Sequence, residues 1–238
     1  MKKEFLNENL KAILFDLDGT LIDVDLKLFI PEYLNALANF ISHLVPKRKI
    51  VPKLLKASEA INNNNGEKTN EEIFIETFFP FEGYTRDDIQ PLFDEFYETK
   101  FLNLKQYTKQ KPEARAVVQA VFDKGFDVVI ATTPVLPLTA IQQRLEWAGV
   151  GDFPYKLVTS IENSRANKPN LTYYKNIAYF LGHSPKECLM VGDEDKDMIA
   201  AKLGYQTFLV NSSNTEIDIR TPAPTYEGTL NDLKKLIS

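Results

Sequence analysis

The chain has 238 residues, 44% of them hydrophobic and 26% charged, with a net charge of −5. This ordinary globular composition allows one large domain or two smaller ones, and the acidic balance argues against a nucleic-acid partner. No apolar stretch approaches the roughly 18 residues of a membrane span, and the single cysteine, Cys188, excludes an intramolecular disulfide and fits a reducing compartment.

The opening Met1-Lys2-Lys3-Glu4 is charged and no apolar run follows it, so no signal peptide and a cytoplasmic location are expected. The first element is residues 12–15, Ala-Ile-Leu-Phe, a short apolar run that reads as a buried strand. Asp16 and Asp18 follow it directly, one residue apart, ahead of Gly19 and Thr20. Side chains alternate along a strand, so both carboxylates can point the same way where the strand ends. Two carboxylates that close repel unless a cation sits between them, and a hard divalent ion such as Mg²⁺ suits oxygen ligands of this kind. The plainer alternative is an Asp-Gly turn after an edge strand.

Residues 24–110 carry helical patterns and no strand signal. Pro31 can open a first helix, with Leu34, Leu37, Ala38, Ile41, Leu44 and Val45 at helical spacing. A second spans roughly residues 50–61 and stops in the loop-forming tract Asn62-Asn63-Asn64-Asn65-Gly66. A third opens at Thr69 with Glu72 three residues on, a capping-box pattern, and stops at Pro80. A fourth opens at Thr85 and stacks Ile89, Leu92, Phe93, Phe96 and Tyr97, with Pro91 expected to kink it or delay its start.

From Pro112 the pattern becomes strand–helix alternation. A helix carries Val117, Val118, Val121 and Phe122 and closes at Gly125. Strand 126–131, helix 138–148, strand 156–159, helix 171–181, strand 188–191, helix 196–203, strand 206–210 and helix 230–237 follow. Within strand 188–191, Cys188 reads as a small buried hydrophobe rather than a reactive thiol. This alternation predicts an α/β fold, a Rossmann-like parallel sheet covered by helices on both faces. Its ligand site should lie at the carboxyl ends of the strands. The expected organisation is a core of residues 1–23 and 110–238 with an inserted helical cap of residues 24–109.

Each strand end offers a chemical group. The first gives Asp16 and Asp18, the second Thr132 and Thr133. The third is followed by Asn167-Lys168-Pro169, and the fourth by Gly192-Asp193-Glu194-Asp195-Lys196-Asp197. Taken singly, Thr132 reads as a helix cap, Lys168 as a solvated lysine and Gly192-Asp193 as a turn, with Glu194 or Asp195 serving the next helix N-terminus. Their coincidence at the ends of successive strands points instead to a site that holds a divalent cation and a phosphate together.

With these residues in order, the chain resembles the haloacid dehalogenase superfamily of phosphatases and phosphotransferases. The family's D-x-D-x-T motif corresponds to Asp16-Leu17-Asp18-Gly19-Thr20. Its Thr or Ser after the second strand corresponds to Thr132, with Thr133 as the alternative alignment. Its Lys corresponds to Lys168, and its G-D-x-x-x-D motif to Gly192-Asp193 through Asp197. The helical insertion resembles a C1-type cap. The resemblance implies Asp16 as nucleophile and Asp18 as general acid and base. It implies Mg²⁺ held by Asp16, the backbone carbonyl of Asp18 and Asp193, with Asp197 in support or acting through water. Thr132, Thr133 and Lys168 would bind phosphate, and Thr20 would shape the loop around Asp16. The true dehalogenases of this superfamily carry an aromatic residue where Asp18 stands, so the carboxylate favours phosphate chemistry. Pro134 has no N–H to donate where relatives place a phosphate contact.

The expectation is therefore a Mg²⁺-dependent phosphatase acting on a small phosphorylated metabolite, as a monomer or weak dimer with no nucleic-acid or membrane partner. A phosphosugar mutase and a non-catalytic phosphate-binding regulator are the alternatives. His43 and His183 have no partner in sequence. Arg86, Lys47, Arg48, Lys49 and Lys53 read as solvated cations, and Trp147 and the aromatic residues of the insertion as packing.

Overall fold

A computed structural model describes residues 9–211 and 217–237. The charged residues 1–4, read above for a leader, lie outside them. Six parallel strands run in the order β5-β4-β1-β6-β7-β8. They are β1 (Ala12–Phe15), β4 (Asp127–Ile130), β5 (Leu157–Val158), β6 (Cys188–Gly192), β7 (Gln206–Val210) and β8 (Tyr226–Gly228). The innermost are apolar on both faces because helices cover both. Ile13, Phe15, Val128, Ile130, Leu189 and Val191 face one core, shared with α5 (Ala114–Asp123), α6 (Leu138–Trp147) and α9 (Leu230–Ile237). Ala12, Leu14, Val129, Cys188 and Met190 face a second core under α7 (Leu171–Leu181). Period-two alternation thus assigns successive side chains to opposite layers.

The strands and helices of this part stand close to their predicted bounds, and Gly125, Gly149, Gly182 and Gly204 all follow helix ends with positive φ. Helix 196–203 is divided between α8 (Asp195–Met198) and a 3₁₀ turn (Ile199–Leu203). The three-residue β8 escaped prediction because it is too short to show a period. The Cys188 thiol is buried, and burial pushes its pKa up to about 12, so it is an inert packing group.

Between residues 25 and 96 the chain forms four α-helices, α1 (Leu26–Phe40), α2 (Lys47–Asn62), α3 (Asn70–Phe78) and α4 (Arg86–Glu95). Thr69 caps α3 with the expected capping box at Glu72, and α4 opens at Thr85 as expected, where the Thr85 N–H and hydroxyl donate to Asp88. Three expectations are corrected. Helix α1 starts before Pro31, because Asp25 accepts from the Lys27 and Leu28 N–H groups and nucleates it there. Helix α4 also runs through Pro91 without delay and continues as a π turn (Phe96–Lys100) and a 3₁₀ segment (Phe101–Tyr107). The segment is not strand-free either. Strands β2 (Ile22–Val24) and β3 (Thr108–Gln110) pair antiparallel at its two ends. The insertion packs on the core through aromatic rings, among them Phe101 stacked on Trp147 at 5.6 Å.

A chain of asparagines makes the second attachment. Asn70 is fully buried, and its Nδ2 donates to the Pro134 carbonyl at 3.0 Å and to Asn167 Oδ1 at 2.9 Å. Its Oδ1 accepts from Asn64 Nδ2 at 2.8 Å, while Asn167 Nδ2 donates to Asn62 Oδ1 at 2.7 Å. The N–H groups of Asn70 and Glu71, free at any helix start, donate to the Ser164 and Ile161 carbonyls of the core. Replacing Asn70 with Ala strands these buried partners. Urea unfolding of Asn70→Ala should show a loss of about 2 kcal/mol, and hydrogen exchange should rise first at the amides of residues 70 and 71. An unchanged midpoint would show that the asparagine chain contributes nothing to holding the insertion.

Candidate active site

Strand β1 lies at the switch point of the sheet, with β4 on one side and β6 on the other. The Asp16 N–H donates to the Val191 carbonyl at 2.9 Å, and the Ala131 N–H donates to the Phe15 carbonyl at 2.7 Å. Asp16 is therefore fixed between two strand ends and is only 3% exposed. Lys168 approaches from the loop before α7, itself 5% exposed. Its Nζ donates to Asp16 Oδ1 and to Asp197 Oδ1, each at 2.6 Å.

The carboxylates of Asp16, Asp193 and Asp197 offer oxygens that lie within 4.8 Å of one another. Thr20 Oγ1 donates to Asp193 Oδ1 at 2.9 Å, so the threonine of the first motif orients the aspartate of the last. Two glycines make room for the cluster. A Cβ on Gly19, which has φ +79, would lie 2.0 Å from Asp193 Oδ2, and one on Gly192 would lie 2.2 Å from Asp197 Oδ2. The glycines of the Asp-Gly and Gly-Asp pairs are thus fixed by the carboxylates that occupy their side-chain space.

Burial, reinforced by the neighbouring Asp16 charge, pushes the Asp193 carboxyl up to about 7. Burial also raises Asp197, against the pull of Lys168. Burial alone would lower the Lys168 ammonium, but Asp16 and Asp197 outweigh it and hold its pKa well above the ordinary value. A set of oxygen donors that resists ionisation without a counter-charge fits a hard divalent cation. Asp16 and Asp193 are the members open to such a cation, whereas Asp197 already accepts from Lys168 and from the Glu194 N–H.

The Asp18 carboxylate stands outside this cluster and is 21% exposed. Its Oδ1 is in ion-pair contact with Nη2 of Arg144 on α6. The sequence reading missed Arg144. The available signal was its position in α6, where Ala140, Ile141 and Leu145 make an apolar stripe that Arg144 interrupts with a charge. Lys111 was also missed. Its Nζ donates to the Gly19 carbonyl and lies 3.2 Å from Asp23 Oδ1, tying the loop after β1 to the segment after β3.

Thr132 is buried and Thr133 half-buried on the loop leaving β4. The Thr132 carbonyl accepts from Thr159 Oγ1 at 2.8 Å and from the Tyr173 hydroxyl at 2.9 Å. Pro134, which lacks an N–H, contributes its carbonyl to Asn70. A cleft of about 420 Å³ opens beyond it between insertion and core, lined by Tyr33, Phe74, Arg86, Tyr97, Val135 and Glu162 among others. The weaker candidates stay apart from the site. His183 meets Asp127 at 2.9 Å and His43 the Phe40 carbonyl at 3.1 Å. Arg86 pairs with Glu71 and Lys49 with Glu82, while Lys53 lies over the Phe81 ring and Lys47 and Arg48 are exposed. Among the described residues no helix is long and apolar enough to cross a membrane.

A family model for haloacid dehalogenase-like hydrolases matches residues 10–204. The pyrophosphatase PpaX of Bacillus velezensis is 27% identical over 197 residues, covering 82% of this chain and 80% of the relative. A phosphoglycolate phosphatase of Neisseria gonorrhoeae is 26% identical over 204 residues, covering 82% and 77%. Among solved structures, a HAD phosphatase from Thermococcus onnurineus superposes with a TM-score of 0.58 at 21% identity, over 96% of this chain and 98% of that one. The L-2-haloacid dehalogenase of Xanthobacter autotrophicus gives 0.57 at 19% identity, over 96% and 98%. The sheet order, the aspartates at its switch point and a family match across most of its length agree, and the chain belongs to the haloacid dehalogenase-like hydrolases.

Proposed function

We propose that this chain is a Mg²⁺-dependent phosphatase that hydrolyses a small phosphorylated metabolite through an aspartyl-phosphate on Asp16. The observation that carries this reading is the placement of Lys168 Nζ at 2.6 Å from both Asp16 and Asp197, with Asp193 in the same cluster. A buried nucleophilic carboxylate needs a cation to neutralise it against an incoming phosphate, and Lys168 is fixed in that position. The phosphatase names of the curated relatives support the same chemistry.

In the first step Asp16 attacks phosphorus, the bond from phosphorus to the leaving oxygen breaks, and Asp18 gives that oxygen its proton. In the second, Asp18 takes a proton from water, the hydroxide displaces phosphate from Asp16, and the carboxylate is restored. Lys168 and one of Thr132 and Thr133 hold phosphate oxygens. Asp16, Asp193 and the Asp18 carbonyl would hold Mg²⁺, supported by Asp197. Bound there, the cation supplies charge that offsets the negative charge of the transferring group. The helices of residues 24–109 act as a cap that selects the substrate.

Phosphate release from a panel of phosphorylated metabolites should require Mg²⁺ and should fall by on the order of a thousandfold or more in Asp16→Asn. Undiminished release by Asp16→Asn would end the aspartyl-phosphate reading. Fast exchange between hexose 1- and 6-phosphates with slow hydrolysis would move the assignment to a mutase.

The cation site also predicts a pH dependence of stability. Without metal, the folded protein keeps a proton on Asp193 up to about 7, whereas the unfolded chain releases it near the ordinary 3.8. Across that window the native state binds more protons, so stability falls as pH rises. In EDTA the melting temperature should drop between about pH 5 and pH 7.5, and Asp193→Asn should flatten the slope. Mg²⁺ should restore stability most at the upper end, where it no longer competes with protons. A metal-free melting curve of the same slope in Asp193→Asn would remove Asp193 from this account.

A further inference from the structure

Arg144 is 3% exposed, and its surroundings give it one anionic contact. Its guanidinium lies 5.2 Å from the ring centroid of Phe29, which covers it from the insertion. Its Nη2 touches Asp18 Oδ1, yet neither atom has an aligned hydrogen-bond partner, and Arg144 Nε has none either. Burying a guanidinium is costly unless an anion pairs with it. A buried ion pair is also poor value for stability, because apolar residues of similar volume pack as well or better. A leucine or methionine would continue the stripe of Ala140, Ile141 and Leu145. Stability alone therefore gives no reason for an arginine here.

The charges around it supply one. Four carboxylates crowd the ends of β1 and β6. Lys168 holds Asp16 and Asp197, and Thr20 holds Asp193. Asp18 is the member left over, on the same tight loop as Asp16, and a cation bound by Asp16 and Asp193 would draw its flexible carboxylate inward. Arg144 meets Asp18 from α6, and its charge is permanent at neutral pH.

We propose that Arg144 is a positioning residue for Asp18, holding its carboxylate outside the Asp16–Asp193–Asp197 cluster so that it faces the leaving oxygen. This rests on the phosphatase reading above for its chemistry, but the placement of Asp18 is a structural claim of its own. Arg144 contacts the acid and is assigned no contact with phosphorus, the leaving oxygen or the attacking water. It acts only through the side chain that transfers the proton.

The test compares wild type with Arg144→Met on two substrates. An alkyl phosphate needs a proton on its departing oxygen, whereas p-nitrophenyl phosphate releases a stable phenolate. The ratio kcat/KM reports the first phosphoryl transfer alone. It should fall about a hundredfold for the alkyl phosphate, within the usual contribution of a general acid, and at least tenfold less for p-nitrophenyl phosphate. Guanidinium added to Arg144→Ala should recover activity on the alkyl phosphate, and urea, equal in shape but uncharged, should not. Equal losses on both substrates without rescue by guanidinium would reduce Arg144 to a packing residue. If wild type hydrolyses neither substrate, the phosphatase reading fails, and crystal structures of wild type and Arg144→Met decide the positioning claim. The carboxylate of Asp18 should turn away from position 144 in the variant, and an unmoved Asp18 would overturn the proposal.

Discussion

The arrangement of this protein follows from the repulsion of carboxylates gathered at the end of one strand. Two unit charges about 4 Å apart at an effective dielectric near 20 repel by about 4 kcal/mol. Asp16, Asp193 and Asp197 offer oxygens within 4.8 Å of one another, at a depth where water screens little. Lys168 answers part of that charge, and its own elevated pKa is the reciprocal sign of how strongly the acids hold it. Burial, with the Asp16 charge added to it, shifts Asp193 upward. The glycines, the Thr20 hydroxyl and the backbone of β6 serve this cluster by bringing the acids together and keeping their orientations apart.

The insertion is attached where it can sense the same cluster. Its ribbon of β2 and β3 begins a few residues after Asp18, and Lys111 ties that ribbon back to the Gly19 carbonyl. Its asparagine chain ends on Asn167, the neighbour of Lys168, and on Pro134, two residues beyond Thr132. In the phosphatase reading, lifting the insertion for substrate access would break these side-chain bonds, each of which contributes about 1 kcal/mol net. That is strong enough to favour the docked state and weak enough to be reversed thermally. The asparagine contacts thus lie beside the residues that would hold phosphate.

The sheet and its motifs were legible because they depend on local chemistry. A buried parallel strand is a continuous apolar run, a helix end is a glycine, and Asp16, Lys168, Asp193 and Asp197 meet because a parallel sheet brings the ends of its strands together. Thr69 and Thr85 announced their helices through side chains that cap within three residues. What stayed hidden depends on partners distant in sequence. Helix α1 starts at Leu26 because of Asp25, while Pro31 looked like the stronger signal. Strands of three residues carry no period. The asparagine tract at residues 62–65 read as a loop, which it is, but its role in docking Asn70 and Asn167 needs the core beside it. Thr132 and Thr133 are adjacent in the same loop, and neither spacing nor burial chooses between them.

Arg144 shows where motif reading stops in this chain. The motif residues lie at the strand ends or just beyond them, the place where a sheet exposes chemistry. Arg144 lies inside a helix, surrounded by apolar positions, where a charge has no local reason to be. A buried guanidinium is tolerated only where an anion waits for it, and here that anion is Asp18. A neutral side chain at residue 18 would remove the one anion in contact with the arginine. The carboxylate of Asp18 and the guanidinium of Arg144 form a pair, so the loop after β1 is tied into the packing of α6.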